Sequence, residues 1–189
     1  MTCIVGFAVN GQVWMGGDSA GVCDMDLHTR KDKKVFKAGQ QGELILGFTD
    51  SFRMGQLLRF GLERVQPPDN PELLYRWMVK DFIDAVRELL SDGGFRKIEN
   101  EVERGGTFLV GVRGRLFYVE GDFQVGENWC RYDAIGCGKN IALGSMYATS
   151  QWTDPPQERV HMALMAAEEF SAGVRLPFVI ESIGEQEKT

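Results

Sequence analysis

The sequence predicts an α+β protein, a four-layer αββα sandwich in which two antiparallel sheets lie between helix layers. The main observation is the order of the apolar segments, which reads strands, two helices, strands, two helices and a last strand. A second observation is Asn10–Gly11, which lies between apolar runs and indicates an antiparallel hairpin. No repeat, low-complexity tract or linker interrupts the 189 residues, so we expect one domain spanning residues 1–189.

The first predicted hairpin joins Thr2–Val9 to Gln12–Gly16. A two-residue turn fixes the pairing of the strands, and counting outward from the turn sets Cys3 opposite Asp18. Turn geometry therefore delivers an acid beside the start of the chain. The count leaves open which face of the strand Asp18 occupies, since a bulge at Gly16–Gly17 would change it.

A second hairpin follows. Lys33–Lys37 is a short strand with polar neighbours, Ala38–Gly42 is the turn, and Glu43–Phe48 is an apolar, buried strand. The lysines at its start belong to a charged run, Arg30–Lys34, and such runs are usually solvated faces. Any special role for one lysine therefore needs support from its surroundings.

Two helices are predicted next. The first covers Ser51–Val65, with Asp50 or Ser51 as its cap, and ends at the following proline pair. The second begins at Pro71, a residue that suits a first helical position, and stops at Gly93–Gly94. Both carry an apolar stripe, which we interpret as core packing against one sheet.

The second half of the sequence again shows strands followed by two helices. A charged surface turn is expected over Phe95–Arg104. Three strands are predicted after it, at Thr107–Val112, Arg115–Val119 and Tyr132–Ile135. Helices at Asn140–Gln151 and after Pro155–Pro156 come next, the latter burying Val160, Leu164, Ala167 and Phe170. The chain closes with a strand at Leu176–Ile183 and a loose tail at Gly184–Thr189.

Composition narrows the function classes. The net charge of -6 gives no basic surface for nucleic acid. No apolar run is long enough to span a bilayer and no signal peptide precedes Thr2, so we expect a cytoplasmic protein without a membrane partner. The four cysteines show no paired ligand spacing, which argues against structural zinc and a disulfide framework.

Thr2 is the chemically suggestive residue. It directly follows Met1, and an initiator methionine is usually removed when the next residue is small. Removal would leave a free α-amine and a hydroxyl on one residue, which is a complete base and nucleophile. Alternatively, Thr2 is an ordinary strand residue beneath a retained methionine.

Five short motifs, in order along the chain, carry a resemblance to a known family. They are Thr2–Gly6, Gly16–Asp18, Lys33–Val35, Leu46–Phe48 and Ala134–Gly138. In this order and at nearly this spacing the chain resembles the proteasome β-subunit family, and most of all its simple bacterial branch, the HslV peptidases. The resemblance covers roughly the whole chain. It implies an N-terminal-nucleophile hydrolase that assembles into rings.

The resemblance also implies residue roles. Thr2 would be the nucleophile, Lys34 would lower the pKa of its amine, and Asp18 would hold Lys34 charged and oriented. The N–H of Gly47 would face the developing oxyanion. Cys137 stands where the family usually has serine, so support for the Thr2 amine would be reduced or moved. Lys33 is the alternative to Lys34 as the catalytic lysine. Cys3 is an alternative nucleophile, which would need processing one residue further along the chain.

Three functions remain open at this level. The first is a threonine endopeptidase in a homo-oligomeric ring, fed polypeptides by an ATP-dependent unfoldase. The others are an inactive proteasome-like ring that keeps Met1, and a hydrolase of small amides. Leu44, Leu46 or Phe48 would line an apolar specificity pocket. We expect no cofactor; a structural monovalent cation at Glu168–Val174, where relatives often bind one through backbone carbonyls, is possible but unassigned.

Overall fold

The structure is a computed structural model that describes residues 1–184, so the predicted tail beyond Gly184 lies outside the described residues. Its first sheet has four antiparallel strands in the order β12-β1-β2-β13. Their bounds are β1 Cys3–Val9, β2 Gln12–Gly17, β12 Tyr132–Gly136 and β13 Val179–Ile183.

The turn between β1 and β2 is the one that the sequence predicts. Asn10 and Gly11 both have positive φ, as a type I′ turn requires. Val9 pairs with Gln12 and Ile4 with Gly17, so the register continues without a bulge. The N–H of Asp18 then donates to the Cys3 carbonyl at 3.3 Å, which confirms the predicted pairing.

The second sheet has five antiparallel strands in the order β11-β10-β9-β6-β5. Their bounds are β5 Val35–Ala38, β6 Leu44–Phe48, β9 Phe108–Val112, β10 Arg115–Val119 and β11 Val125–Glu127. Two separate hairpins complete the strands: β3 Ala20–Cys23 with β4 Asp26–Thr29, and β7 Lys97–Glu99 with β8 Val102–Arg104.

Helices cover the outer face of each sheet. Over the five-stranded sheet lie α1 Phe52–Gly61, α2 Leu74–Trp77, a π turn at Met78–Phe82 and α3 Ile83–Asp92. Over the four-stranded sheet lie α4 Lys139–Ala148 and α5 Pro156–Phe170. A third apolar cluster lies between the sheets, around Ile4, Met15 and Ile45. The architecture is therefore the predicted αββα sandwich.

The predicted boundaries differ from the observed ones in a few places. α1 ends at Gly61, well before the proline pair. Its start is as predicted, since the Ser51 hydroxyl caps it by accepting from the Arg53 N–H. The predicted surface turn at Phe95–Arg104 contains the β7–β8 hairpin. Phe170, predicted as buried, is the last residue of α5 and is largely exposed. Within residues 1–184, no helix is both long and apolar enough to cross a bilayer.

Glycines on the inner faces of both sheets let the sheets approach closely. A Cβ on Gly6 would lie 2.7 Å from Leu116, one on Gly47 would lie 2.5 Å from Ile4, and one on Gly111 would lie 2.6 Å from Val13. In each case the contacting side chain comes from the opposite sheet. A side chain of one sheet thus fills the space that each glycine leaves in the other.

We predict that Gly47→Ala destabilises the protein by about 1–3 kcal/mol, because the added methyl overlaps Ile4 and Met15 in a filled core. The matched control is Gly144→Ala in α4, where nothing lies within 4 Å of the new methyl. It should be neutral or stabilising by up to about 1 kcal/mol, since alanine is the better helix former. Urea unfolding measures both, and equal midpoints for the two variants would contradict this packing account.

Candidate active site

Thr2 lies immediately before β1, and only 2% of its surface is exposed. Its hydroxyl donates to Asp18 Oδ1 and accepts a hydrogen bond from Lys34 Nζ. Asp18 follows the end of β2 and Lys34 precedes the start of β5. The three side chains therefore come together from both sheets, and two of the three are brought there by the first hairpin.

The Asp18 carboxylate is the centre of this cluster. Oδ1 accepts from the Thr2 hydroxyl, from the Cys3 N–H at 3.0 Å and from Lys34 Nζ at 2.8 Å. Oδ2 accepts from the Ala20 N–H at 2.8 Å and the Arg175 N–H at 3.3 Å. Five donors thus converge on a fully buried carboxylate, and one of them is the ammonium of Lys34.

Lys34 is the buried lysine of its charged run, with 3% of its side chain exposed. Burial lowers the pKa of Lys34 from the ordinary lysine value, and the charge and hydrogen bond of Asp18 oppose that shift. Lys33 faces the other way: its ammonium lies 2.8 Å from Glu181 on the exposed surface. The geometry thus favours Lys34 over its neighbour as the lysine that contacts Thr2.

A small cleft opens beside the Thr2 hydroxyl. Val22, Phe48 and Phe52 form its apolar part, and Met1 and Lys34 also line it. Phe48 and Phe52 meet edge to face with ring centroids 5.7 Å apart. Of the three residues predicted to line the specificity pocket, only Phe48 does so. Leu44 and Leu46 are fully buried in the cluster under α1 and α3.

Gly47 is not in the cleft. It pairs with Val35 on one side and Leu109 on the other, inside the five-stranded sheet. The Thr49 N–H donates to the Thr107 carbonyl across the β6–β9 pair. Since alternate residues of an antiparallel strand direct their N–H groups to the same neighbour, the Gly47 N–H points at β9. The predicted oxyanion contact of Gly47 is therefore wrong for this structure.

The loop after β6 offers a different backbone donor. Asp50 lines the cleft with Thr2 and has a φ of 70°, a conformation that aspartate tolerates better than most residues. Thr49 and Ser51 both spend their N–H groups on backbone carbonyls. Within the described part of the chain, the Asp50 N–H has no hydrogen-bond acceptor. It is thus the available donor on this side of the Thr2 hydroxyl.

Cys137 lies on the other side of Thr2. Its thiol donates to the Thr2 carbonyl at 3.4 Å and lies 3.3 Å from the Ser171 hydroxyl. The contact is with the backbone of Thr2, and Ser171 adds a hydroxyl that the sequence argument did not include. Cys3 is buried, and burial, with the charge of Asp18, raises the pKa of its thiol to about 12. A thiol held neutral in this way is a poor nucleophile, which removes Cys3 as a candidate.

Comparison with solved structures shows which fold this is. A Thiobacillus denitrificans BPH structure in complex with epoxomicin superposes with a TM-score of 0.78 at 19% identity, covering 97% of this chain and 98% of that one. This chain has the N-terminal-nucleophile hydrolase fold of the proteasome β-subunit and HslV type. Eukaryotic HslV from Trypanosoma brucei matches with a TM-score of 0.73 at 15% identity, over 97% of this chain and 100% of that one.

A further match carries the same fold. Anbu, described as an ancestral beta-subunit, from Yersinia bercovieri has a TM-score of 0.68 at 18% identity, covering 97% of this chain and 82% of that one. No protein-family model matches the sequence.

Two residues near Thr2 carried no sequence signal of the kind that we used. Asp50 contributes its backbone N–H, which a side-chain motif cannot reveal. Its position just after a strand is compatible with a turn, but does not predict its positive φ. Ser171 reaches Cys137 from the turn after α5, far away in sequence. Among residues 1–184, no group of three or more histidine, cysteine, aspartate or glutamate side chains is arranged to hold a metal ion.

We predict that Lys34→Met destabilises the protein by about 3 kcal/mol, because it leaves the buried Asp18 charge without its ammonium partner. The matched variant Lys33→Met loses only a surface pair and should cost less than about 1 kcal/mol. The double variant Asp18→Asn with Lys34→Met should recover part of the loss, since no buried charge then remains. Denaturant unfolding measures all three. A Lys33 variant as unstable as the Lys34 variant would reverse the assignment.

Proposed function

We propose that this chain is a threonine endopeptidase of the proteasome β-subunit and HslV family, active once Met1 and anything ahead of it have been removed. The observation that carries the proposal is the buried cluster in which the Thr2 hydroxyl contacts both Lys34 Nζ and Asp18 Oδ1. A hydroxyl between an ammonium and a carboxylate, on the second residue of the chain, suits nucleophilic attack by an N-terminal threonine.

The reaction begins with the freed α-amine of Thr2. The amine takes the proton of the Thr2 hydroxyl as Oγ attacks the peptide carbonyl, and it passes that proton to the leaving amine as the C–N bond breaks. The acyl group is then an ester on Thr2. Water, deprotonated by the same amine, attacks the ester and releases the new carboxyl end. The hydroxyl regains its proton, so the enzyme returns to its starting state.

Lys34 supplies a fixed positive charge beside this amine. A nearby positive charge disfavours protonation of the amine and thereby lowers its pKa, so more of it is available as a base near neutral pH. Asp18 keeps Lys34 protonated and in place. Asp18 also positions the Thr2 segment itself through the Cys3 N–H. Removing either residue therefore disturbs both the charge and the geometry.

The Asp50 N–H is the proposed oxyanion donor. It lines the cleft with Thr2 and lacks an acceptor among the described residues. Such a free donor beside a nucleophile would stabilise negative charge that develops on the carbonyl oxygen. This assignment takes over the role first given to Gly47, three residues earlier on the same segment.

The partners follow from the family proposal. We infer a closed homo-oligomeric ring that confines Thr2, takes unfolded polypeptides and is served by an ATP-dependent unfoldase in the cytoplasm. The fold likeness to HslV supports this inference. Large apolar side chains on α4, α5 and the loop after β11 are exposed in the single chain, including Tyr147, Phe170 and Trp129, and would suit subunit contacts. A monomer in sedimentation analysis would contradict the ring.

We predict that Thr2→Ala lowers peptidase kcat by at least about 1000-fold while leaving the fold and assembly intact, because it removes only the attacking oxygen. Thr2→Ser, which keeps a hydroxyl and an amine, is the matched control and should retain measurable activity. Intact mass of the active wild type must lack Met1. Epoxomicin, the ligand in the BPH complex, should bind the wild type once Met1 has been removed.

The outcome that contradicts the peptidase is equally specific. Wild-type protein that keeps Met1 in its native host, cleaves no peptide and does not bind epoxomicin would favour the inactive ring. Cleavage by Thr2→Ala at the wild-type rate would remove Thr2 from the mechanism.

We further predict a bell-shaped pH dependence of kcat. Activity rises as the Thr2 amine loses its proton, and because the Lys34 charge lowers the pKa of this amine, the rise should lie below the ordinary value of about 8. It falls as Lys34 loses its own proton, and because burial lowers the pKa of Lys34, this fall should begin below the ordinary lysine value of about 10.4. Circular dichroism at each pH controls for unfolding. Activity that stays level through that range would show that the Lys34 charge is not needed.

A further inference from the structure

The segment after α5, residues 171–177, contacts several residues that surround Thr2. The Ser19 N–H donates to the Arg175 carbonyl at 2.9 Å, and the Ser19 hydroxyl donates to the Pro177 carbonyl at 2.5 Å. The Arg175 N–H donates to Asp18 Oδ2. At its other end, Ser171 contacts the Cys137 thiol, which reaches the Thr2 carbonyl. The conformation of residues 171–177 therefore bears on both sides of Thr2.

The side chain of Arg175 folds back onto this same segment. One nitrogen, Nη1, lies 2.7 Å from the Val174 carbonyl, 3.5 Å from the Ser171 carbonyl and 3.7 Å from a carboxylate oxygen of Glu168. All three neighbours are oxygens, two of them backbone carbonyls. Carbonyl and carboxylate oxygens are also the ligands that hard cations prefer.

These three oxygens cannot hold a monovalent cation in addition to Arg175, because the guanidinium already lies among them. A second positive charge placed among them would lie within a few ångströms of Nη1 and be repelled. We propose that Arg175 is a built-in cation: its guanidinium does the work of a bound metal ion in shaping residues 171–174. Arg175 is then a positioning residue, which acts on Thr2 through Asp18 and Cys137.

The test compares four proteins: wild type, Arg175→Gln, Arg175→Lys and Arg113→Gln. Glutamine keeps most of the side-chain length and removes the charge, whereas lysine keeps the charge. Arg113 is the matched control, since it is similarly exposed and pairs with Asp69 on a remote surface. Thermal unfolding of each is followed as sodium or potassium chloride replaces tetramethylammonium chloride at constant ionic strength. A bulky ammonium ion screens charge but does not fit a carbonyl site.

Only Arg175→Gln should respond to the small cations. Its unfolding temperature should be lower than that of the wild type and should rise as sodium or potassium binds the freed oxygens. Wild type, Arg175→Lys and Arg113→Gln should show the same unfolding temperature in all three salts. A wild type that gains as much from sodium or potassium as Arg175→Gln overturns the proposal, and so does an Arg175→Gln protein that is indifferent to both ions.

The effect on activity rests on the proposed peptidase function. Arg175→Gln should lower kcat by about tenfold or more, with KM nearly unchanged, because Thr2 is misplaced while the cleft is intact. Potassium or sodium should restore much of that loss, and Arg175→Lys should be close to wild type. A kcat loss that neither ion nor lysine restores overturns the positioning role. If the wild type cleaves nothing, the proposed function fails, and the unfolding measurement alone decides the role of Arg175.

Discussion

The ionised carboxylate of Asp18 is the group on which the site depends. A buried charge is stable only when it is paired and hydrogen-bonded, and this one receives five donors. Those donors come from the start of β1, the residue before β5, the start of β3 and the segment after α5. Asp18 therefore requires distant parts of the chain to be in place together, and it fixes where the Thr2 hydroxyl and the Lys34 ammonium meet.

Much of this arrangement follows from local rules. The Asn-Gly turn sets the register of β1 and β2, and the register alone carries Asp18 to the chain start. The layer order follows from the sequence of apolar segments. The choice of Lys34 over Lys33 came from a family resemblance, and burial agrees with it, since alternate residues of an extended chain face opposite sides.

Other features depend on long-range packing that no local pattern reports. Gly47 looked like a backbone donor, but it is a strand residue needed for close sheet contact. Leu44, Leu46 and Phe48 share one face of β6 and one buried cluster, so the period of two could not show that only Phe48 of the three also borders the cleft. Asp50, Ser171 and Arg175 act through backbone groups or through turns. Ser171 meets Cys137 and the Arg175 N–H meets Asp18 across more than 30 residues, so spacing along the chain gives no signal for these contacts.

The glycine contacts between the sheets have a mechanical consequence for catalysis. Thr2 and Asp18 belong to one sheet and Lys34 to the other, so any sliding between the sheets would pull the ammonium away from the hydroxyl. A slip of one residue along a strand is about 3.3 Å, longer than the bond from Lys34 to Asp18. Because Leu116, Ile4 and Val13 are each seated over a glycine of the facing sheet, that slip is sterically blocked. The packing between the sheets therefore keeps Lys34 aligned with Thr2. Larger residues at these glycines should reduce catalysis to the extent that they displace Lys34 from the Thr2 hydroxyl.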